Sequence, residues 1–333
     1  MASATSQVKI LVPGNQSMVS LLGQRDAFLK LIESAFDCRI LVRGNEITVT
    51  GREAESERVA HIFEELLLLL EQGNELTDSS VGQAIALVKG DGDAAPGEAA
   101  MRPSEVLGDR LLTARGKGIT PKTIGQKRFV DAIRANTVTF AIGPAGTGKT
   151  YLAIATAVKA LQDHQVSRLI LTRPVVEAGE RLGYLPGTLY EKIDPYMRPL
   201  YDALFEMTGA ETLPRLMERG TVEVAPLAYM RGRTLNDAFI ILDEAQNTTP
   251  EQMKMFLTRI GFGSKAVING DATQVDLGTG QASGLAVVEG ILGDIDDIAF
   301  CHLGGRDVVR HKIVQEIVEA YDRFGQRTRD VEP

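Results

Sequence analysis

The run Gly143-Pro144-Ala145-Gly146-Thr147-Gly148-Lys149-Thr150 constrains this chain more than any other feature. It fits G-x-x-x-x-G-K-[ST] and sits between a β-rich run, residues 137–142, and a run of helical character, residues 149–162. In that order a strand, a glycine-rich turn and a helix make a phosphate cradle. Glycines let successive backbone N–H groups curl around a β-phosphate, and the helix N-terminus adds positive potential. Gly143 to Thr150, with Tyr151 following, are therefore the expected nucleotide-binding residues. Lys149 is suited to the β and γ oxygens, and the Thr150 hydroxyl to Mg²⁺.

The surrounding text fits such a loop. Residues 168–172, 221–225, 239–242, 266–269 and 298–302 read as further strands, with helices over 250–260 and 308–323. Buried β-rich runs alternating with helices predict an α/β domain whose mostly parallel sheet is covered on both faces. The run Phe239-Ile240-Ile241-Leu242 ends in Asp243-Glu244, which places two carboxylates at the carboxyl edge of the sheet. Asp243 is suited to hold Mg²⁺, and Glu244 to orient or deprotonate an attacking water. A hydrolytic base at Glu244 favours an NTPase over a small-molecule kinase.

The chain before this domain has another character. Residues 1–76 read as β-α-β-β-α, a small α+β domain, and 77–118 as a linker centred on the polar, glycine-rich stretch 90–97, with room for a short helix over 82–88 before it. The P-loop domain then occupies 119–333. Of the 36 Lys/Arg and 44 Asp/Glu, the first hundred residues hold 8 and 15, so the acid excess lies at that end. The remainder is almost neutral and free to carry a local anion-binding patch. The β-α-β-β-α order matches KH-type RNA-binding folds, which clamp the backbone with a GXXG loop. Here Gly23-Gln24-Arg25-Asp26 lacks the second glycine, so partner docking or assembly competes with RNA binding as its role. Two cysteines without a CxxC, and four histidines without ligand spacing, give no metal centre. No signal peptide or apolar run long enough to span a bilayer is visible, which reads as a cytoplasmic protein without a membrane partner.

The P-loop, Asp243-Glu244-Ala245-Gln246 and Gly270-Asp271-Ala272-Thr273-Gln274 resemble the nucleotide motifs of superfamily 1 helicase cores. Leu171-Thr172-Arg173-Pro174-Val175, Gly183-Tyr184-Leu185-Pro186-Gly187, the run from Asp194-Pro195-Tyr196-Met197-Arg198 to Leu204, and Asp307-Val308-Val309-Arg310-His311 resemble the PhoH-like family of bacterial ATPases. The resemblance implies a RecA-like, RNA-associated ATPase using ATP and Mg²⁺, preceded by the small KH-like domain. It implies that Gln126 reads the adenine edge and that Gln274 senses the γ-phosphate. Too little chain follows Asn269 for a second RecA-like domain, so an arginine must come from the same domain or a neighbouring subunit. Arg306 and Arg310 are the candidates, and a finger supplied in trans implies a ring-like homo-oligomer, with a hexamer as the candidate ring.

Single-stranded RNA is the expected partner, together with an RNA-processing protein. Arg173 matches the place where helicase cores touch the nucleic-acid backbone. Lys192, Arg198, Arg231 and Arg233 interleave with Tyr184, Tyr190, Tyr196 and Tyr229. Such interleaving suits phosphate neutralisation and base stacking. Two other functions remain open at this point: a nucleotide-dependent switch or assembly factor that does not translocate, and a small-molecule phosphotransferase.

Overall fold

The computed structural model describes residues 5–14, 16–90, 101–175, 189–278, 280–310, 313–314, 316–318 and 320–321. The side chains of 5 and 189–193 are outside that description. Two compact units emerge, residues 1–131 with 205–212, and 132–204 with 213–333.

In the first unit, β1 (Thr5–Leu11), β2 (Cys38–Arg43) and β3 (Glu46–Arg52) form an antiparallel sheet in the order β1-β3-β2. Residues 18–36, whose spacing predicts one helix, are broken into α1 (Met18–Leu22) and α2 (Ala27–Ala35). The break is the quartet Gly23-Gln24-Arg25-Asp26, with Gly23, Arg25 and Asp26 all at positive φ, a backbone that ends a right-handed helix. A long helix, α3 (Glu53–Glu71), lays Val59, Ile62, Phe63, Leu66 and Leu69 into the core with almost no exposure.

The predicted linker needs correction. Residues 78–90 form α4 (Asp78–Gly90), whose Val81, Ala84, Ile85 and Val88 are buried in the same core as Phe63. Spacing of three and four puts those four residues on one helix face, so the short helix expected over 82–88 is longer and is part of the core instead of the linker. α5 (Pro103–Leu107) adds Val106 and Leu107 to that core, and the buried Glu65 accepts a hydrogen bond from Ser104 N (2.8 Å), which caps it. A short hairpin follows, β4 (Leu112–Ala114) and β5 (Lys117–Ile119), then α6 (Ile124–Ala135). Residues 91–97 of the predicted glycine-rich linker lie outside the described residues.

The second unit carries β6 (Val138–Ile142), α7 (Lys149–Gln162), β7 (Arg168–Arg173), most of α8 (Leu189–Thr208) and of α9 (Thr212–Glu218), β8 (Val222–Pro226), β9 (Ala238–Leu242), α10 (Pro250–Leu257), β10 (Lys265–Gly270), α11 (Gly284–Leu292) and β11 (Ile298–His302). All six strands are parallel, in the order β11-β6-β10-β9-β7-β8. Every residue of β9 is buried, as expected for a central parallel strand covered on both faces. Val138, Phe140, Ile240, Leu242 and Ile268 pack with Met253 and Phe256 of α10 and Leu285 and Val288 of α11 on one face. Helix α10 starts where its sequence dictates: Pro250 is at its first turn, and Thr249 and Gln252 cap each other's backbone N–H groups at 3.3 and 3.0 Å. The final helix predicted from 308 starts later: residues 308–310 are non-helical, and the described residues from 313 to 321 are helical.

If α4 belongs to the first core, Val81→Asp buries a carboxylate among apolar side chains and lowers stability by more than about 3 kcal/mol. Gly82→Ala, at an exposed helical position with open space around it, gains up to about 1 kcal/mol. Urea unfolding followed by circular dichroism reads both; equal midpoints for the two variants would return the segment to linker.

Candidate functional site

The P-loop joins β6 to α7, and its backbone has the predicted character. Gly146 and Gly148 stand at φ +85° and +79°, in the left-handed region open to glycine. Gly143 passes so close to Leu303 O that a Cβ there would overlap it. The Thr147 hydroxyl donates to Pro144 O (2.9 Å), pinning the loop. Lys149 is buried and donates to Gly143 O (2.6 Å) and Pro144 O (2.9 Å). Burial holds its ammonium below the ordinary lysine range, against the opposite pull of Asp271, Asp243 and Glu244. Tyr151 is half-buried on the first turn of α7.

Strand order brings the acidic pair to this loop. β10 is the only strand between β6 and β9, so the carboxyl end of β9 delivers Asp243 to the start of α7. There the Thr150 hydroxyl donates to Asp243 Oδ1 at 2.6 Å. Burial pushes the Asp243 carboxyl above the usual carboxylate range, with the Thr150 bond opposing it. A hydroxyl and a buried carboxylate oxygen in contact are a hard-oxygen pair that fits Mg²⁺, whose remaining ligands are characteristically water and phosphate. Among the described residues no group of three or more His, Cys, Asp or Glu is placed to hold a metal.

Glu244 follows at φ +52°, ψ +39°, a left-handed backbone for a non-glycine residue, of the kind that costs of order 1–3 kcal/mol and clusters at functional sites. Its Oε1 accepts from Arg173 Nη2 (2.9 Å) and its Oε2 from Gln246 Nε2 (2.6 Å). Gln246, buried, also accepts from Asp271 N through Oε1 (3.0 Å). One amide thus ties the two acidic motifs together. Sequence reasoning quoted Gln246 within its motif but assigned it nothing; its place two residues past Glu244 was the available signal. Gln274 donates to Asp271 Oδ2 at 2.8 Å. Burial pushes the Asp271 carboxyl up, but bonds from Thr273, the Lys149 charge and the Ala145 amide outweigh it and leave Asp271 below the usual range.

The predicted arginines divide. Arg310 lies on the P-loop of its own chain: Nη2 donates to Ala145 O, and Val309 N donates to Gly146 O at 3.0 Å. A Cβ at Gly146 would collide with the Arg310 guanidinium. Arg306 sits in the exposed turn Gly305–Asp307. Gln126 belongs to the first unit, where it is buried and its Oε1 accepts from Lys122 N at 2.8 Å.

Of the predicted RNA contacts, Arg233 is committed elsewhere: its two terminal nitrogens grip Glu223 of β8 at 2.6 and 2.7 Å. Arg198 pairs with Asp194 on α8 (3.3 Å) and is exposed, as is Arg231. Arg173 ends β7 beside Glu244, opposite Pro226 in register, so Tyr229 and Arg231 follow from the same edge of the sheet. The side chains of Lys192 and Tyr190, and all of Tyr184, lie outside the described residues.

A six-stranded parallel sheet with a P-loop after β6 and an Asp-Glu pair after β9 defines a RecA-like P-loop nucleotide-binding domain. Comparison with known proteins narrows this class. Residues 118–322 match the family described as PhoH-like protein. A PhoH-like protein of Mycobacterium tuberculosis is 57% identical over 307 residues, covering 92% of this chain and 85% of that one. One from Bacillus subtilis is 51% identical over 307 residues, 92% and 94% of the two chains. Protein PhoH of Escherichia coli is 44% identical over 205 residues, 61% and 58%. The chain belongs to the PhoH-like family.

Two predictions follow from this geometry. Gly146→Ala combines a disallowed φ with a collision at Arg310, and nucleotide affinity should fall at least tenfold, read by fluorescent-nucleotide titration. Glu223 is held below the usual carboxylate range by its hydrogen bonds from Arg233, so its stabilisation is present above its unfolded pKa of about 4.3 and lost as pH falls through the lower folded value. With the pair about one-third exposed, Glu223→Gln should cost at most about 1 kcal/mol at neutral pH. The urea midpoints of variant and parent should converge as pH falls through that lower folded value.

Proposed function

We propose that this chain is an Mg²⁺-dependent ATPase that acts on or with single-stranded RNA as a homo-oligomer. The observation that carries the hydrolytic reading is the 2.6 Å contact of Thr150 with Asp243, with Glu244 next in sequence, at the mouth of a P-loop. Thr150 and Asp243 would hold the Mg²⁺, which supplies charge neutralisation at the phosphate oxygens. Lys149 exchanges the carbonyls of Gly143 and Pro144, neutral acceptors, for β and γ oxygens, a charge-assisted and stronger pairing. Glu244 orients a water in line with the γ-phosphate and takes its proton. Gln274 lies one hydrogen bond from Asp271, whose own partners include the Ala145 amide of the loop, and this chain of contacts suits a γ-phosphate sensor.

The contact of Arg310 with its own P-loop supports a role in cis for that residue. Arg306, in an exposed turn, is then the candidate that reaches a neighbouring subunit of the ring. RNA association rests on Arg173, Arg198, Arg231 and Tyr229 near one edge of the sheet, and an RNA-processing protein is the proposed second partner. A cytoplasmic site of action is part of this proposal; no helix among the described residues is long and apolar enough to cross a membrane.

Steady-state ATP hydrolysis at fixed salt, with and without single-stranded RNA, tests this reading. RNA should stimulate turnover several-fold. Lys149→Ala should lose nucleotide binding, while Glu244→Gln should bind ATP and hydrolyse it at least 10²-fold more slowly. Turnover by Glu244→Gln at the parent rate would remove the base assignment. A rate indifferent to RNA but raised by a protein partner would favour a switch or assembly factor, and a phosphorylated metabolite in place of free phosphate a phosphotransferase.

A further inference from the structure

Arg173 has an occupied guanidinium. Nη2 donates to Glu244 Oε1 at 2.9 Å, and Nη1 donates to the backbone carbonyl of Tyr196 on α8 at 3.0 Å. The other Glu244 oxygen is taken by Gln246. Both oxygens of the carboxylate assigned to the attacking water are therefore already accepting hydrogen bonds, one from a full positive charge. A carboxylate in that state is a weaker acceptor for a water proton than a free one. The side chains of Arg173 and Glu244 are 20% and 35% exposed, so the pair is open to a competing solute.

The two partners of Arg173 are unequal. Glu244 is an anion; the Tyr196 carbonyl is a neutral acceptor in a helix interrupted by Pro195 and Pro199. Pro199 has no N–H to give the Pro195 carbonyl, so the helical ladder is broken one residue before Tyr196. An incoming anion therefore meets its weakest competition at Nη1. Arginine's planar fork matches phosphate as well as carboxylate, so a phosphate seated at Nη1 can recruit Nη2 and replace Glu244, keeping the guanidinium paired while the Glu244 carboxylate, still held by Gln246, gives up its counter-ion. The geometry places this exchange beside Asp243 and within the site that hydrolyses ATP.

We propose that Arg173 is a positioning residue that restrains Glu244 until a backbone phosphate of single-stranded RNA takes its guanidinium. This rests on the RNA-stimulated ATPase reading and supplies its coupling device: nucleic-acid binding and release of Glu244 are one anion exchange at one guanidinium. Coupling of this kind is reciprocal. Removing the Glu244 charge must strengthen RNA binding, just as RNA must free Glu244.

Two measurements on the full chain test it. In the first, a fluorescein-labelled oligouridylate is titrated without nucleotide. Glu244→Gln should bind it roughly fivefold tighter or more than the parent, and Glu244→Gln placed on Arg173→Ala should show no such gain. In the second, ATP turnover of Arg173→Ala without RNA should rise roughly fivefold or more, towards the RNA-stimulated parent rate, with little further response to RNA. Arg173→Lys keeps the charge but not the fork and should fall between. Unchanged oligouridylate affinity in Glu244→Gln, or a reduced RNA-free rate in Arg173→Ala with the parent's fold-stimulation retained, would overturn the proposal. A parent that neither binds the oligouridylate nor responds to it defeats the RNA reading by itself. The restraint is then judged by the RNA-free rate of Arg173→Ala, upheld by a rise and overturned by an unchanged or lower value.

Discussion

The contact between Thr150 and Asp243 joins two segments 93 residues apart in the chain, and the nucleotide site depends on it. It exists because β10 inserts between β6 and β9, setting the P-loop helix and the end of β9 at the spacing of two parallel strands. Asp243 is buried and Thr150 half-buried, so the hydroxyl satisfies a carboxylate oxygen that has left bulk water. Lys149, also buried, turns inward to loop carbonyls and carries the compensating charge for Asp243, Asp271 and Glu244. Asp243, Asp271 and Glu244 outnumber the Lys149 ammonium and the Arg173 guanidinium around them, a surplus of acidic groups that suits a divalent cation.

Around that contact runs a polar network in which few atoms are idle. Gln246 spans Glu244 and the backbone of Asp271, Asp271 holds Thr273 and Gln274, and Arg173 holds Glu244 and Tyr196. In low-dielectric surroundings such networks are strong when satisfied and costly when one member is lost. Loss or gain of one anion is therefore felt across the network, which gives the site a physical means of responding to nucleotide and to a second polyanion.

The first unit illustrates a different limit. Its β-α-β-β-α order could be read directly from alternation and helical spacing, and its sheet and α3 follow that order. Its extent was legible only in part, as a short helix over 82–88 assigned to the linker. Residues 78–90 carry glycine, serine and lysine on their outer face, and the four apolar residues that matter face inward only once α3 supplies a surface for them. The predicted helix over 18–36 failed for the complementary reason: its periodicity is good, but Gly23, Arg25 and Asp26 adopt left-handed backbone that hydrophobic spacing does not register.

The sequence by itself determined the P-loop, the acidic pair and the parallel α/β character, because each is a contiguous pattern whose chemistry is local. A glycine's freedom, a lysine followed by a threonine at the start of a helix, or an apolar strand ending in carboxylates needs no distant partner to be recognised. The tertiary structure alone decided what the arginines do. Arg233 grips Glu223, Arg310 rests on a loop 165 residues earlier in the chain, and Arg173 meets Glu244 across 71 residues. A guanidinium is equally suited to carboxylate, carbonyl and phosphate, so its role is set by whichever acceptor the strand order and the chain's return path bring within reach.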